Sequence, residues 1–188
     1  MNIKFQSILR KHKLKHLVEM KRGSSGLSRV TGFVADFSDS LILMHRLDWD
    51  TFQLNGYTVI REDEVSQYRF FDKAEHWQFR AVRLNRIVPR HPVNISIASL
   101  AELLTSIAQR YPLVTVHPER TKPDVCYIGS VNSVAERTVT IEDLNCNAEW
   151  TGPRRLKLAD ITMIDFGGGY EEALARTAPN RPTKIRRK

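Results

Sequence analysis

Two stretches of this chain carry the same succession of short β-branched segments and turns, offset by 96–97 residues, and this recurrence limits the fold more than any other feature. In the first, Leu17-Val18-Glu19-Met20 is followed by the turn Gly23-Ser24-Ser25-Gly26, then Val30 to Val34, Leu41-Ile42-Leu43, Tyr57 to Arg61 and Val65 to Tyr68. In the second, Leu113 to Val116 precedes a polar turn over Glu119 to Pro123, then Cys126 to Val131, Val139-Thr140-Ile141, Leu156-Lys157-Leu158 and Ile161 to Ile164. Leu17 to Leu113 spans 96 positions, Gly32 to Gly129 spans 97 and Val65 to Ile161 spans 96. The segments alternate with period two and are separated by turn residues. That pattern predicts two small, strongly bent antiparallel β units over 17–71 and 113–166, each with strands enough for a small barrel. Val34, Leu41, Leu43, Val59, Val131, Val139, Ile141 and Ile161 are the expected core.

One segment reads as a helix. Leu100, Leu103, Leu104, Ile107 and Ala108 recur at steps of three and four, so a helix is expected over about 98–110. Ser99 can cap it with Glu102 three residues on, and Tyr111-Pro112 ends it. A first helix over 3–15 has a weaker apolar stripe. Pro89, Pro92 and Arg83, Arg86 and Arg90 mark a linker. The expected division is 1–77 for the first unit with its basic leader, 78–96 for the linker, 97–177 for a helix plus the second unit, and 178–188 for a basic, disordered tail.

A helix followed by five short bent strands resembles the Sm-like family of small β-barrels. Gly32, Val34 and Phe37 stand where the first Sm-type signature has its strand glycine, aliphatic and aromatic; Ser38 and Ile42 replace its Asp and Asn. Ile60-Arg61-Glu62-Asp63-Glu64-Val65 occupies the second signature, keeping the Arg and Asp and replacing Gly and Asn by Glu. In the second stretch Gly129, Val131 and Val134 fit the first signature, and Leu156 to Ile161 fall at the second. The resemblance implies a mainly β protein with few helices: two tandem Sm-like or SH3-like antiparallel barrels joined by a helix-containing linker. It implies RNA as a ligand and strand-to-strand pairing of subunits as a mode of assembly. The base-reading positions of the family are altered here, and Glu62 and Glu64 bring negative charge to that corner.

Charge narrows the function. The chain carries +8 overall, but residues 1–30 hold eight Lys/Arg against one Glu, and residues 181–188 hold five Lys/Arg and no acid. The 150 residues between them therefore sum to −4 (+8 −7 −5), so the ends are basic and the body mildly acidic. Basic ends bind polyanions by counterion release or serve only as solvated termini. The candidate nucleic-acid contacts are Arg10, Lys11, Lys13, Lys15, Arg61, Arg154, Arg155, Lys157, Arg186 and Arg187, with Trp150 beside Arg154 as a base-stacking candidate against the commoner role of packing. RNA or DNA is one class of partner; a protein partner or a second copy of the chain is the other, and the acidic body favours it.

No enzyme is indicated. There is no Gly-x-Ser-x-Gly elbow and no Cys–His signature, and Cys126, placed in a predicted strand, reads as a buried inert thiol. His12 and His16, four apart, sit among Lys11, Lys13 and Lys15 and read as a solvated basic face rather than a metal pair. Asp36, Asp39, Asp48 and Asp50 read as turn residues, since the Ca²⁺-loop pattern is missing. Gly167-Gly168-Gly169 reads as a bend, because it lacks the Lys-Ser/Thr of a phosphate loop and is followed by Glu171 and Glu172. No cofactor or metal is implied. With no run of eighteen apolar residues and no visible secretory signal, a cytoplasmic protein with no membrane partner is expected.

Overall fold

The computed structural model describes residues 3–23 and 28–181. It is mainly β: ten strands and four α-helices. Helix α1 (Ile3–His12) leads into β1 (Leu17–Arg22), β2 (Ser28–Phe37), β3 (Leu41–Asp48), β4 (Gln53–Arg61) and β5 (Val65–Phe71). After α2 (Trp77–Leu84) and α3 (Leu100–Ala108) come β6 (Val114–His117), β7 (Tyr127–Val134), β8 (Thr138–Leu144), β9 (Trp150–Lys157) and β10 (Met163–Phe166), then α4 (Gly169–Thr177).

The ten strands form a single hydrogen-bonded antiparallel sheet in the order β5-β1-β2-β3-β4-β10-β6-β7-β8-β9. The mainly β class is as expected; the two sets of strands share one continuous sheet, in which two tandem barrels are not marked off. The sheet is open, with β5 and β9 as its edges, and its middle is a seam in which β10 pairs β4 through Met163–Ile60, Ile164–Val59, Asp165–Thr58 and Phe166–Tyr57. The physical reason is in the core. Ala35, Leu41, Leu43 and Val59 of the first five strands pack in one cluster with Leu103, Leu104 and Ile107 of α3 and with Val114, Val116, Val139, Ile141, Ile161, Ile164 and Phe166. Separate units would leave the apolar faces at β4 and β10 wet, and each buried side chain of this size is worth about 1.5–3 kcal/mol.

Each set of five strands nonetheless follows one plan. The order β5-β1-β2-β3-β4 is repeated by β10-β6-β7-β8-β9, and a 3₁₀ turn precedes the last strand in both sets, at Glu62–Glu64 and at Leu158–Asp160. The second strand of each bulges at the same step, between Val34 and Asp36 and between Val131 and Ser133.

Of the expected core, Val34, Leu41, Leu43, Val59, Val139, Ile141 and Ile161 are buried; Val131 is only partly so. Ser99 caps α3 by accepting from the Glu102 N–H at 3.1 Å, and Leu103, Leu104 and Ile107 are fully buried against the sheet. The Glu102 carboxylate accepts from the Ser96 hydroxyl, not from the Ser99 backbone, so the capping box is one-sided. α1 forms and buries Leu9 and His12. The stretch expected as a linker holds most of α2 and the buried Ile95.

Candidate nucleic-acid interface

Among the described residues nothing pairs with β9 beyond β8, so it is an edge of the sheet. Its residues alternate between partly covered and exposed: Trp150, Gly152, Arg154 and Leu156 turn inward, and Thr151, Pro153, Arg155 and Lys157 turn to solvent. Pro153 is tolerated here because an edge strand has one side with no ladder bonds to lose. The eight residues contain three cations and no acid.

Arg154 is held from two sides. Its guanidinium donates to Asp143 at 2.7 Å and lies over the Tyr127 ring, 4.0 Å from the centroid. Lys122 donates to the Tyr127 hydroxyl at 2.8 Å. Arg155 donates to the Thr138 hydroxyl at 3.3 Å, which lays it along the outer side of β8. Nearby on β7, Ser130 and Asn132 accept from Arg181 at 2.8 and 2.5 Å. The β7–β9 end of the sheet thus carries cations on both faces, Arg154 and Lys122 around Tyr127 on one and Arg155, Lys157 and Arg181 on the other, a composition suited to phosphate.

The other expected contacts are spread elsewhere. Arg10 and Lys11 are exposed on α1, which packs on β2, and Lys15 is exposed just beyond it. Lys13 is paired to Asp36 at 2.5 Å. In the sheet β3, β4, β10, β6, β7 and β8 lie between β2 and β9, so the α1 group and the β9 group are not one patch along the sheet. Arg61 is part of the seam: its Nε donates to the Ile161 carbonyl at 2.7 Å and its Nη2 to the Leu158 carbonyl at 3.1 Å. Arg186 and Arg187 lie outside the described residues.

Two buried charges, Arg22 and Asp165, sit at the junction of the two sets of strands. Arg22, 2% exposed, forms a two-pronged pair with Glu119 at 2.9 Å on each prong, and the Thr162 hydroxyl donates to the same carboxylate. Arg120 donates to Asp63 at 2.6 Å and Glu64 at 2.9 Å. The acidic corner read from the sequence is therefore committed to an ion pair between the two sets of strands. Asp165 on β10 accepts from His117 at 2.8 Å, from Thr58 and from Arg46 at 3.4 Å. Burial pushes its carboxyl up, but the His117 hydrogen bond and charge, with Arg46 and Thr58, outweigh burial and hold it below the usual carboxylate range.

Several sequence readings change. Cys126 is exposed, one residue before β7, because the polar turn carrying Pro118 and Pro123 runs on until Tyr127 pairs with Val116. His12 is buried, not solvated: its ring stacks on Phe70 at 4.1 Å and its Nδ1 lies 3.0 Å from that of His16, so burial, with the His16 charge, lowers its pKa. Among the described residues no group of three or more His, Cys, Asp or Glu is placed to hold a metal ion. Asp48 accepts from the Asp50 and Thr51 amides, the turn role expected of it. Gly167, at φ 66°, bends the chain out of β10, and the Gly169 amide at the start of α4 is taken by the Asn55 side chain at 2.8 Å. Trp150 packs on the Leu113, Ile128 and Leu144 cluster and donates to the Pro179 carbonyl at 2.8 Å; Trp49 donates to Thr31 and packs with Phe52 and Trp77.

Sequence reasoning missed Tyr127, Lys122 and Arg181. Nothing local marked them: the loop before β7 has as many acids as cations, and only the fold brings Lys122, Tyr127 and Arg181 beside β8 and β9. Comparison with known proteins finds no matching family model, no matching curated protein and no matching solved structure. No helix among the described residues is long and apolar enough to cross a membrane.

Proposed function

We propose that the chain is a non-catalytic binding module made of two divergent Sm-like halves, and that it holds single-stranded RNA or DNA along the β9 edge through electrostatic contacts with little sequence preference. The shared strand order of the two halves, with a 3₁₀ turn before the last strand of each, supports the Sm-like reading. The observation that carries the binding reading is the edge itself: β9 contains no acid and presents Arg155 and Lys157 to solvent, while Arg154 is paired with Asp143. Phosphate contacts of this kind position a chain but read no sequence. The family's second-signature corner supports no base readout here, since Asp63 and Glu64 are paired with Arg120.

A protein partner adding a strand to an open edge is the second reading, favoured by the unpaired edges at β5 and β9. The two separate by titration. Fluorescence anisotropy with single-stranded RNA and DNA oligonucleotides at several salt concentrations should show binding that weakens steeply with salt. Arg155→Gln with Lys157→Gln, both exposed and outside the core, should lower the logarithmic salt slope on single strands by about 1.4. Absence of binding at low salt defeats the nucleic-acid reading and promotes the protein one.

A further inference from the structure

The two cysteines are far apart in the chain and converge in the fold. Cys126 ends the loop before β7, and Cys146 lies in the turn between β8 and β9. β7 and β8 pair with Ile128 opposite Leu144. Continuing that register by two residues sets Cys126 against Cys146. The ladder itself stops at Leu144, because the Asn145 amide turns to the Glu149 carbonyl at 3.0 Å and opens the turn. A second observation places the thiols on one surface hollow, independently of the ladder. Both line one cavity of about 280 Å³, whose walls also include Tyr127, Leu144, Asn145 and Tyr170. Both side chains are exposed, so an oxidant reaches them.

We propose that Cys126 and Cys146 form a reversible disulfide that clips the loop before β7 to the β8–β9 turn. A disulfide spans roughly 4.4–6.8 Å at Cα, the separation that residues directly opposite in an antiparallel pair have, so forming the bond draws the open β8–β9 turn back toward the register of the ladder. The oxidant is a low-molecular-weight disulfide. One cysteine, as the thiolate, attacks it and expels one thiolate, giving a mixed disulfide. The second cysteine, deprotonated, then attacks the protein sulfur, forms the Cys126–Cys146 bond and expels the other thiolate. In balance, two protein thiols lose two electrons and two protons, and one small disulfide becomes two thiols. Burial, with the charge of Asp165, pushes the Cys126 thiol up, which slows its part of the exchange at neutral pH. The clip lies beside Tyr127 and Arg154, but it rests on the cysteine geometry alone and not on nucleic-acid binding.

The test is exchange with oxidised glutathione on the native full-length chain, read by intact mass and peptide mapping. The expected product has lost two hydrogens, carries no glutathione, titrates no free thiol where the reduced chain titrates two, and yields a crosslinked Cys126–Cys146 peptide; dithiothreitol reverses it. Cys126→Ser and Cys146→Ser should each stop at a single glutathione adduct. A wild-type chain that carries two glutathiones, or that becomes a disulfide-linked dimer, overturns the proposal.

Discussion

His45 shows how one side chain ties pH to stability. It lies on β3 with its ring stacked on Tyr57 at 4.5 Å, and its Nδ1 accepts the Arg90 amide at 3.0 Å. A protonated Nδ1 could not accept that bond. Burial, with the Arg90 charge, brings its pKa from 6.5 down to about 4. The unfolded chain therefore takes up a proton on this ring as pH falls below 6.5, while the folded chain resists until about 4, so the folded state loses stability across that window and holds it fully above. The ring is only partly buried, so the loss is on the order of 1–2 kcal/mol rather than the full value of the shift. Urea midpoints measured from pH 7 to pH 4 should fall accordingly. His45→Phe should flatten part of that fall and leave the part due to His12, whose pKa burial also lowers.

At the level of elements, two glycines explain why the second strand of each half can cross its neighbour so closely. Gly32 faces Arg46 on β3, and Gly129 faces Asp143 on β8. A methyl group at either would run into a backbone carbonyl of the neighbouring strand, that of His45 or of Glu142. A carbonyl in a ladder cannot swing away as a side chain can. Gly32→Ala and Gly129→Ala should each cost about 1–3 kcal/mol or more, read as a lower urea midpoint with an unchanged denaturant slope. Ser130→Ala, next to Gly129 on β7, is the matched control, expected within about 0.5 kcal/mol. These glycines were legible in the sequence as a pair at the same offset, as were most strands and α3, because alternation, turn residues and a capped apolar stripe are local signals. α2 was missed although Trp77, Ala81 and Leu84 recur at steps of four and three: it is two turns long and lies among the arginines and prolines that read as a linker, and none of its residues is buried. The seam was not legible either. The β4–β10 pairing joins residues more than a hundred positions apart, such as Ile60 and Met163, and no local pattern encodes which edge meets which. The place of Arg61 was not legible for the same reason, since its acceptors, the Leu158 and Ile161 carbonyls, reach it only through that pairing.

For the whole molecule, the seam is a template against which its outer edges can be compared. β9 stands in the second half where β4 stands in the first, and β5 stands where β10 does. Carrying the β4–β10 register over by 96 residues shows what would meet if β9 of one copy paired with β5 of another. Leu156 would face Gln67, Arg155 Tyr68, Arg154 Arg69 and Pro153 Phe70. In the seam, Arg61 N–H donates to the Thr162 carbonyl. Every second pair of an antiparallel ladder exchanges such bonds, so Tyr57 and Phe166 form a bonded pair. At that place β9 has Pro153, which has no N–H to give. Where the seam sets Thr58 against Asp165, the outer edges set Arg154 against Arg69, and like charges directly opposite each other are destabilising. Proline and cations on an edge are the means by which sheets avoid pairing with their neighbours. Pro153 and the facing arginines thus disfavour a β9–β5 contact between copies in the register of the seam. Sedimentation velocity over a range of protein concentrations should find the wild-type chain monomeric. Arg69→Asp combined with Pro153→Thr restores both a carboxylate opposite a cation and the missing donor, and that variant should associate more strongly as concentration rises. A wild-type chain that already forms salt-resistant oligomers, or a double variant that stays monomeric throughout, would show that the edges are governed by something other than these two residues.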